Sequence, residues 1–270
     1  MSLKGVIADE LRNERGVTRA LLSIQARWER KNTERADLVI ASSRYSCDVA
    51  RREYGVAEGK LAPVPEPIDI AEWDRRFAAA QRRPPGDPVI LCVARMYPRK
   101  RIVDLLEAAA LLRSEASGVQ VRIVGKGPEW EAIRRLHARL GLGHTVALLG
   151  DVTREQLADE YVNAAIFCLP SVQEGFGIVF LEAMAAGLPV VACRAAAIPE
   201  VVEEGVTGML VSPRDPTALA SALAALLSSP ARRRALGEGG RRRVALFTPD
   251  RVAARFLDAV RLIQERGQLR

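Results

Sequence analysis

A doubly wound α/β domain, with a parallel sheet covered by helices on both faces, is what this sequence predicts. Three observations predict it. From residue 87 onward, apolar runs of strand length alternate with amphipathic stretches of helical spacing. The runs are apolar at nearly every position, the pattern of strands buried on both faces. Helix-start signals fall between them where a β-α alternation needs them.

The elements follow in order. A polar, amphipathic helix carrying Leu21, Ile24 and Trp28 comes first. DLVIAS (37–42), a helical stretch from about Arg44 to Tyr54, and KLAPVP (60–65) then read as one β-α-β unit, too little for a domain of its own. RRPPGDP (82–88) is a breaker-rich linker. The main strands read VILCVA (89–94), VQVRIVG (119–125), TVALLG (145–150), AIFCLP (165–170), PVVAC (189–193) and GMLV (208–211). Thr153 with Gln156 forms a capping box, and Asp215-Pro216 and Thr248-Pro249 each pair an N-cap with proline at the first helical position. Leu219, Leu223, Leu226 and Leu227 then share one helix face, as do Val252, Phe256, Val260 and Ile263.

Composition excludes several classes. Apolar residues are 49% and charged residues 27%, ordinary for a globular chain. No apolar run approaches the roughly 18 residues of a membrane span. The start, MSLKGVIADELRNERG, has no signal-peptide h-region, so a cytoplasmic setting is expected. Cys47, Cys92, Cys168 and Cys193 lie far apart, three of them in strand-like runs, and read as buried reduced thiols. His137 and His144 have no ligand pattern around them, so no metal site is expected. The net charge of +7 calls for an anionic partner or none. Aromatic residues, 5% of the chain, do not interleave with the short basic clusters, so nucleic acid is not the expected partner. The clusters Arg232-Arg233-Arg234 and Arg241-Arg242-Arg243 read as solvated helix faces.

In such a sheet, ligands sit beyond the carboxyl ends of the strands. After the first main strand comes Arg95-Met-Tyr-Pro-Arg-Lys100-Arg, whose cations at a helix start suit a diphosphate, although a solvated basic loop fits as well. After the second comes Gly125-x-Gly127, without the third glycine of a dinucleotide fingerprint. After the fourth comes SVQEGFGIVFLEAMAAGLPVV (171–191), where Gly175 and Gly177 leave amides open at a helix start. Glu182 then lies roughly 7.5 Å down that helix, leaning back toward its N-terminus, where a carboxylate can bind a ribose. Glu174 can reach hydroxyls of whatever the diphosphate carries. The plain alternatives are a helix-dipole partner for Glu174 and a surface charge for Glu182.

These segments resemble the signature of the family-4 glycosyltransferases, retaining enzymes of the GT-B fold with two facing Rossmann-like domains. That family carries two glutamates separated by seven residues, matched by Glu174 and Glu182, and an arginine and lysine five apart, matched by Arg95 and Lys100. ADLVIASS, YGV, GDVTREQLADEY, LPS, EGFG, EAMAAGLPVV and IPEVVEEGVTG extend the likeness from about Ala36 to Val211. The resemblance implies that Arg95 and Lys100 hold the donor diphosphate, Glu182 the ribose and Glu174 the hexose. It implies a phosphate cradle from the amides of Phe176, Gly177 and Ile178. The loops Gly125–Pro128 and 150–152, with Asp151 and Val152, would border the base. It further implies a metal-independent transfer of a hexose from a UDP- or GDP-linked donor, with no cofactor, to a carbohydrate or lipid-linked acceptor. Contact with the inner face of a membrane accompanies that acceptor class.

Three departures stand out. The family usually has Gly-Arg and Lys-Gly where this chain has Ala94-Arg95 and Lys100-Arg101. It usually has two glycines before Pro-Glu, where Ala197 and Ile198 follow Ala195-Ala196. Most of its acceptor-side domain has no counterpart before Ala36. The expected division is therefore 1–83 for the remnant of that domain and the linker, 84–247 for the nucleotide-sugar-binding domain, and 248–270 for a helix returning toward the first. Donor binding without useful transfer, and self-association through an unfinished sheet, are expected of the chain as it stands. A non-catalytic binding module, or a half-enzyme needing a partner, is the alternative. The missing third glycine argues against a dinucleotide oxidoreductase. A glycosidase needs carboxylates facing each other across the bond, whereas Glu174 and Glu182 share one loop-helix element.

Overall fold

The six strand-length runs that begin at residue 89 form one parallel sheet. The computed structural model describes residues 1–84, 86–115 and 118–268. Pro85 of the expected linker, residues 269–270 of the last helix and the side chain of Ile263 lie outside the described residues.

The strands are β4 (Val89–Val93), β5 (Gln120–Val124), β6 (Val146–Gly150), β7 (Ile166–Leu169), β8 (Val190–Cys193) and β9 (Gly208–Val211). Their order across the sheet is β6-β5-β4-β7-β8-β9. The chain runs outward from β4 to β6, then returns to place β7 against the free side of β4. The β4/β7 boundary is thus the switch point, where connections leave to opposite sides and open a crevice above the strand ends.

A smaller sheet precedes it, ordered β1 (Ser2–Leu3), β2 (Val39–Ala41), β3 (Leu61–Pro63) and wholly parallel. The sequence foretold β2, β3 and the helix between them, α3 (Arg44–Tyr54), which Ser43 caps by accepting from the Ser46 amide. It did not foretell β1, which pairs Ser2 with Ile40, nor α1 (Ile7–Glu10). The polar helix is α2 (Gly16–Arg35). Its buried side is Ala26 and Thr33, while Val17, Leu21, Ile24 and Trp28 are all more than half exposed.

Helices α5 (Ile102–Glu115), α6 (Trp130–Arg139), α7 (Arg154–Val162), α8 (Ile178–Ala185), α10 (Pro216–Leu227) and α11 (Pro230–Val244) cover the larger sheet, with a short α9 (Ile198–Val201) among them. The Thr153–Gln156 capping box forms in full, Asp215 caps α10 through the Ala218 amide, and Leu219, Leu223 and Leu226 are buried. An unforeseen helix, α4 (Ile70–Ala79), packs Trp73 edge-on to Tyr161 at 5.5 Å, so this part of segment 1–83 joins the core of the larger sheet.

The last helix, α12 (Pro249–Gln268), buries Val252 and Ala259 against Ile40 and Val64 of the smaller unit. Phe256, expected on its apolar face, is 45% exposed. In the arginine clusters Arg232, Arg234 and Arg242 are exposed, as a solvated face requires, while the other three arginines are bound. Arg233 donates to the carbonyls of Leu226 and Leu227 at the end of α10, Arg241 donates to the Ala185 carbonyl and pairs with Asp74, and Arg243 pairs with Glu203. All four cysteines are buried free thiols, and burial pushes the Cys92 and Cys193 thiols up to about 12. Among the described residues, no helix is long and apolar enough to cross a membrane.

Candidate functional site

The switch point brings the loop after β4 and the loop after β7 together, although they lie more than seventy residues apart in the chain. The Arg99 carbonyl receives the Val172 amide at 2.9 Å and the Ser171 hydroxyl at 3.1 Å, so the two loops share one backbone seam. Across that seam the Lys100 ammonium donates to Glu174 Oε1 at 2.6 Å, with side chains only 14% and 9% exposed. Lys100 sits at the end of a 3-10 turn, Pro98–Lys100, and Arg101 after it adopts the left-handed conformation, φ 51°. That backbone explains the glycine usual there in the resembled family. Here Arg101 is held by a two-point pair with buried Asp104, at 2.9 and 2.5 Å. The second departure differs: Ala197 takes φ −79° and Ile198 opens α9, so neither position needs a glycine's backbone. The left-handed residue is Ala196 before them, φ 49°, and the Ala197 amide donates to the Glu174 carbonyl at 3.3 Å.

Two adjoining cavities flank the start of α8, and Val179 lines both. One, about 340 Å³, lies between the two sheets; its wall includes Lys100, Glu174, Gly175, Phe176, Gly177 and Ile178. The other, about 370 Å³, is lined by Arg95, Gly125, Lys126, Gly127 and Asp151. Each is large enough for part of a small ligand. Arg95 is exposed and stands 5.7 Å from the Tyr97 ring centre. Arg95 and Lys100 thus reach opposite sides of the α8 start. Val152 lies elsewhere, on a third cavity of about 610 Å³ beside Arg83 and Arg122, and Asp151 lines both this cavity and the second.

The glycines have particular reasons. A side chain on Gly175 would strike the Lys4 carbonyl at 2.6 Å, because the segment after β1 runs directly against it. Gly177 caps α8 at φ 91°, with no side chain closing the helix start. The open end of α8 therefore presents amides and the positive end of the helix dipole to the cavity. A side chain on Gly125 or Gly127 would strike the backbone of Ala94 or Met96, at 2.2 and 2.6 Å. Their spacing serves the contact between two loops, in which the Met96 amide donates to the Lys126 carbonyl at 3.0 Å. The loops at 125–128 and 150–152 are tied by Gly125 N to Gly150 O at 2.7 Å and Lys126 N to Asp151 Oδ1 at 3.1 Å.

Glu182 is the fifth residue of α8, and its Oε2 accepts the Tyr161 hydroxyl at 2.8 Å. Burial pushes its carboxyl up to about 7, against the Tyr161 bond and the Arg154 charge, which both lower it. It is a half-buried acceptor with one partner in place, not a solvated surface charge.

The smaller sheet adds residues that the local pattern did not mark. Ser42, Ser43 and Ser46 all donate to the Gly175 carbonyl, at 3.0, 2.7 and 3.2 Å. Glu200 accepts the Arg44 and Tyr45 amides at the start of α3, at 2.9 and 2.8 Å. Lys4 pairs with Glu66 at 2.6 Å on the far wall of the first cavity. Arg99 stacks 4.6 Å from the Tyr97 ring centre with its guanidinium near Glu10 and Glu14, at 3.8 and 3.7 Å. Arg99 and Glu200 lay within stretches already marked, 95–101 and IPEVVEEGVTG; for the serines the signal was the small-residue run ASS after an apolar strand.

Residues 74–243 match a family model described as Glycosyl transferases group 1. The chain is 34% identical over 218 residues to a GDP-mannose-dependent alpha-(1-6)-phosphatidylinositol monomannoside mannosyltransferase of Mycolicibacterium smegmatis, covering 76% of this chain and 57% of that protein. It is 35% identical over 238 residues to a D-inositol 3-phosphate glycosyltransferase of Streptomyces avermitilis, covering 83% and 51%. The chain thus spans little more than half the length of these relatives. A sucrose-phosphate synthase from Thermosynechococcus elongatus superposes with a TM-score of 0.75 at 28% identity, covering 99% of this chain and 67% of that structure.

Proposed function

Because the chain belongs to the glycosyl transferases group 1 family and carries the GT-B fold, we propose that its switch-point cleft holds a nucleoside-diphosphate hexose. The observation that carries this reading is the arrangement around the open start of α8, with Arg95 and Lys126 on one side and Lys100 with Glu174 on the other. A diphosphate laid across the helix start meets amides, the helix dipole and cations from both sides. Glu182 accepts ribose hydroxyls beside Tyr161, and Glu174 faces the hexose.

On this reading the reaction is a retaining transfer that uses no metal. Negative charge grows on the departing diphosphate as the glycosidic bond breaks, and fixed cations and amides stabilise it where it forms. Lys100 changes partner along the way. In the empty site it neutralises Glu174; with donor bound it turns to the diphosphate, and Glu174 is freed toward the sugar.

The named activities of the relatives favour a GDP-linked mannose as donor and an inositol-bearing or lipid-linked acceptor. The net charge of +7 suits work at an anionic cytoplasmic membrane face. Transfer is proposed for the enzyme as a whole, because it needs an acceptor wall besides; donor binding is what these residues carry themselves. Calorimetry with GDP, UDP, GDP-mannose and UDP-glucose tests the reading. GDP and GDP-mannose should bind, and a protein that binds none of the four would refute it.

A further inference from the structure

Gln173 stands immediately before Glu174 on the wall of the 340 Å³ cavity. It is 4% exposed, and its Oε1 is buried with no hydrogen-bond partner. The only other such side-chain oxygen among the described residues is Glu14 Oε1, which has the Arg99 guanidinium 3.7 Å away to compensate it. Gln173 is neutral, so its orphaned oxygen calls for a proton donor. Native interiors rarely leave a buried acceptor open without a functional reason.

The backbone around it is fixed. The Ser171 hydroxyl bridges the Gln173 and Arg99 carbonyls at 3.0 and 3.1 Å, and the neighbouring Gly175 carbonyl is held by three serine hydroxyls. The amide is therefore presented on a rigid loop, a side chain away from the Lys100–Glu174 pair. A phosphate dianion offers Oε1 no proton and could be met only by the amide's N–H end after a half-turn. A hydroxyl can satisfy Oε1 as it stands, and because a hydroxyl both donates and accepts, it meets either end of the amide.

We infer that Gln173 is a specificity-determining residue, whose side-chain amide reads a hydroxyl of the hexose carried by the donor. The assignment rests on the proposed donor site. A site built to bond a hydroxyl rejects ligands that lack it, because its own polar group is then left unpaired.

Gln173→Met, close in volume and without a hydrogen-bonding end, tests it by calorimetry against GDP and GDP-mannose, and against UDP and UDP-glucose. The variant should bind the free diphosphate within about twofold of the parent and the sugar-bearing form about tenfold more weakly, roughly the weight of one hydrogen bond. Its thermal midpoint should equal or exceed the parent's, because an unpaired buried acceptor is removed. Gln173→Asn, which withdraws the amide by one carbon, should show the same selective loss. Equal losses for diphosphate and sugar nucleotide, no loss for either, or a lowered thermal midpoint in both variants would make Gln173 a structural amide and overturn the inference. A parent protein that binds neither GDP nor UDP would instead overturn the donor site on which it rests.

Discussion

Removing one member of the Lys100–Glu174 pair should cost far more than removing both. At 2.6 Å, with 14% and 9% side-chain exposure, the two charges lie largely out of water and compensate each other. Deleting one partner of a buried pair costs ~3–5 kcal/mol, because it strands the other charge. The pair faces a cavity rather than a closed core, so about 2–4 kcal/mol is expected for Lys100→Met or Glu174→Leu alone. The double variant strands nothing and should lose at most ~1 kcal/mol, a coupling of roughly 3 kcal/mol or more. Urea unfolding read by tryptophan fluorescence and by circular dichroism measures this. With a slope near 3 kcal/mol/M, each single variant should shift its midpoint by about 1 M. Ligand binding should separate the two singles. Lys100→Met should weaken GDP by ~1.5–3 kcal/mol, the value of a charge-assisted contact, whereas Glu174→Gln should tighten GDP by releasing Lys100. Additive single losses below about 0.5 kcal/mol would refute a compensated pair, the range of ordinary surface substitutions. A Glu174→Gln variant that weakens GDP would refute the exchange of partners.

Arg95→Ala should weaken GDP by ~1.5–3 kcal/mol while leaving guanosine nearly unchanged, measured by calorimetry; equal losses for both would remove Arg95 from the diphosphate. Glu182, raised to about 7 from an ordinary value of 4.5, holds its proton in the folded state across that window. Its stabilising contribution is complete below pH 4.5 and is lost as pH rises through 7. Urea midpoints should therefore fall across that range less steeply in Glu182→Gln, while GDP binding by the parent should strengthen as the carboxylate forms. Ala196→Gly should stabilise the fold by roughly 0.5–1 kcal/mol, since a left-handed alanine costs ~1–2 kcal/mol and the added chain entropy takes back part of it; an unchanged urea midpoint would show an unstrained turn. The exposed Val17, Leu21, Ile24 and Trp28 stripe should drive concentration-dependent self-association, which sedimentation would show falling in Leu21→Glu.

The sequence by itself determined what depends on near neighbours. Runs such as VILCVA and AIFCLP are apolar at every position because both faces are covered, so strand identity and a buried parallel sheet were legible from pattern alone. Thr153–Gln156 and Asp215–Pro216 marked helix starts because a cap and its amide lie within three residues. Arg95, Lys100, Glu174 and Glu182 could be singled out because polar residues at strand ends and helix starts face a possible ligand. Tertiary structure alone decided which of them meet. Strand order is not written in any local period, and only the placement of β7 beside β4 sets Lys100 against Glu174. The same placement sends Arg95 to a neighbouring cavity. Tyr161 on Glu182, the three serines on the Gly175 carbonyl and the Lys4 segment against Gly175 join residues 21 to 171 positions apart. No propensity or spacing encodes such partners, because a side chain's partner is set by which element lies next to it in space. Glycine spacing shows the same limit: Gly125 and Gly127 make room for the backbone of Ala94 and Met96, a contact visible only once the two loops are folded together.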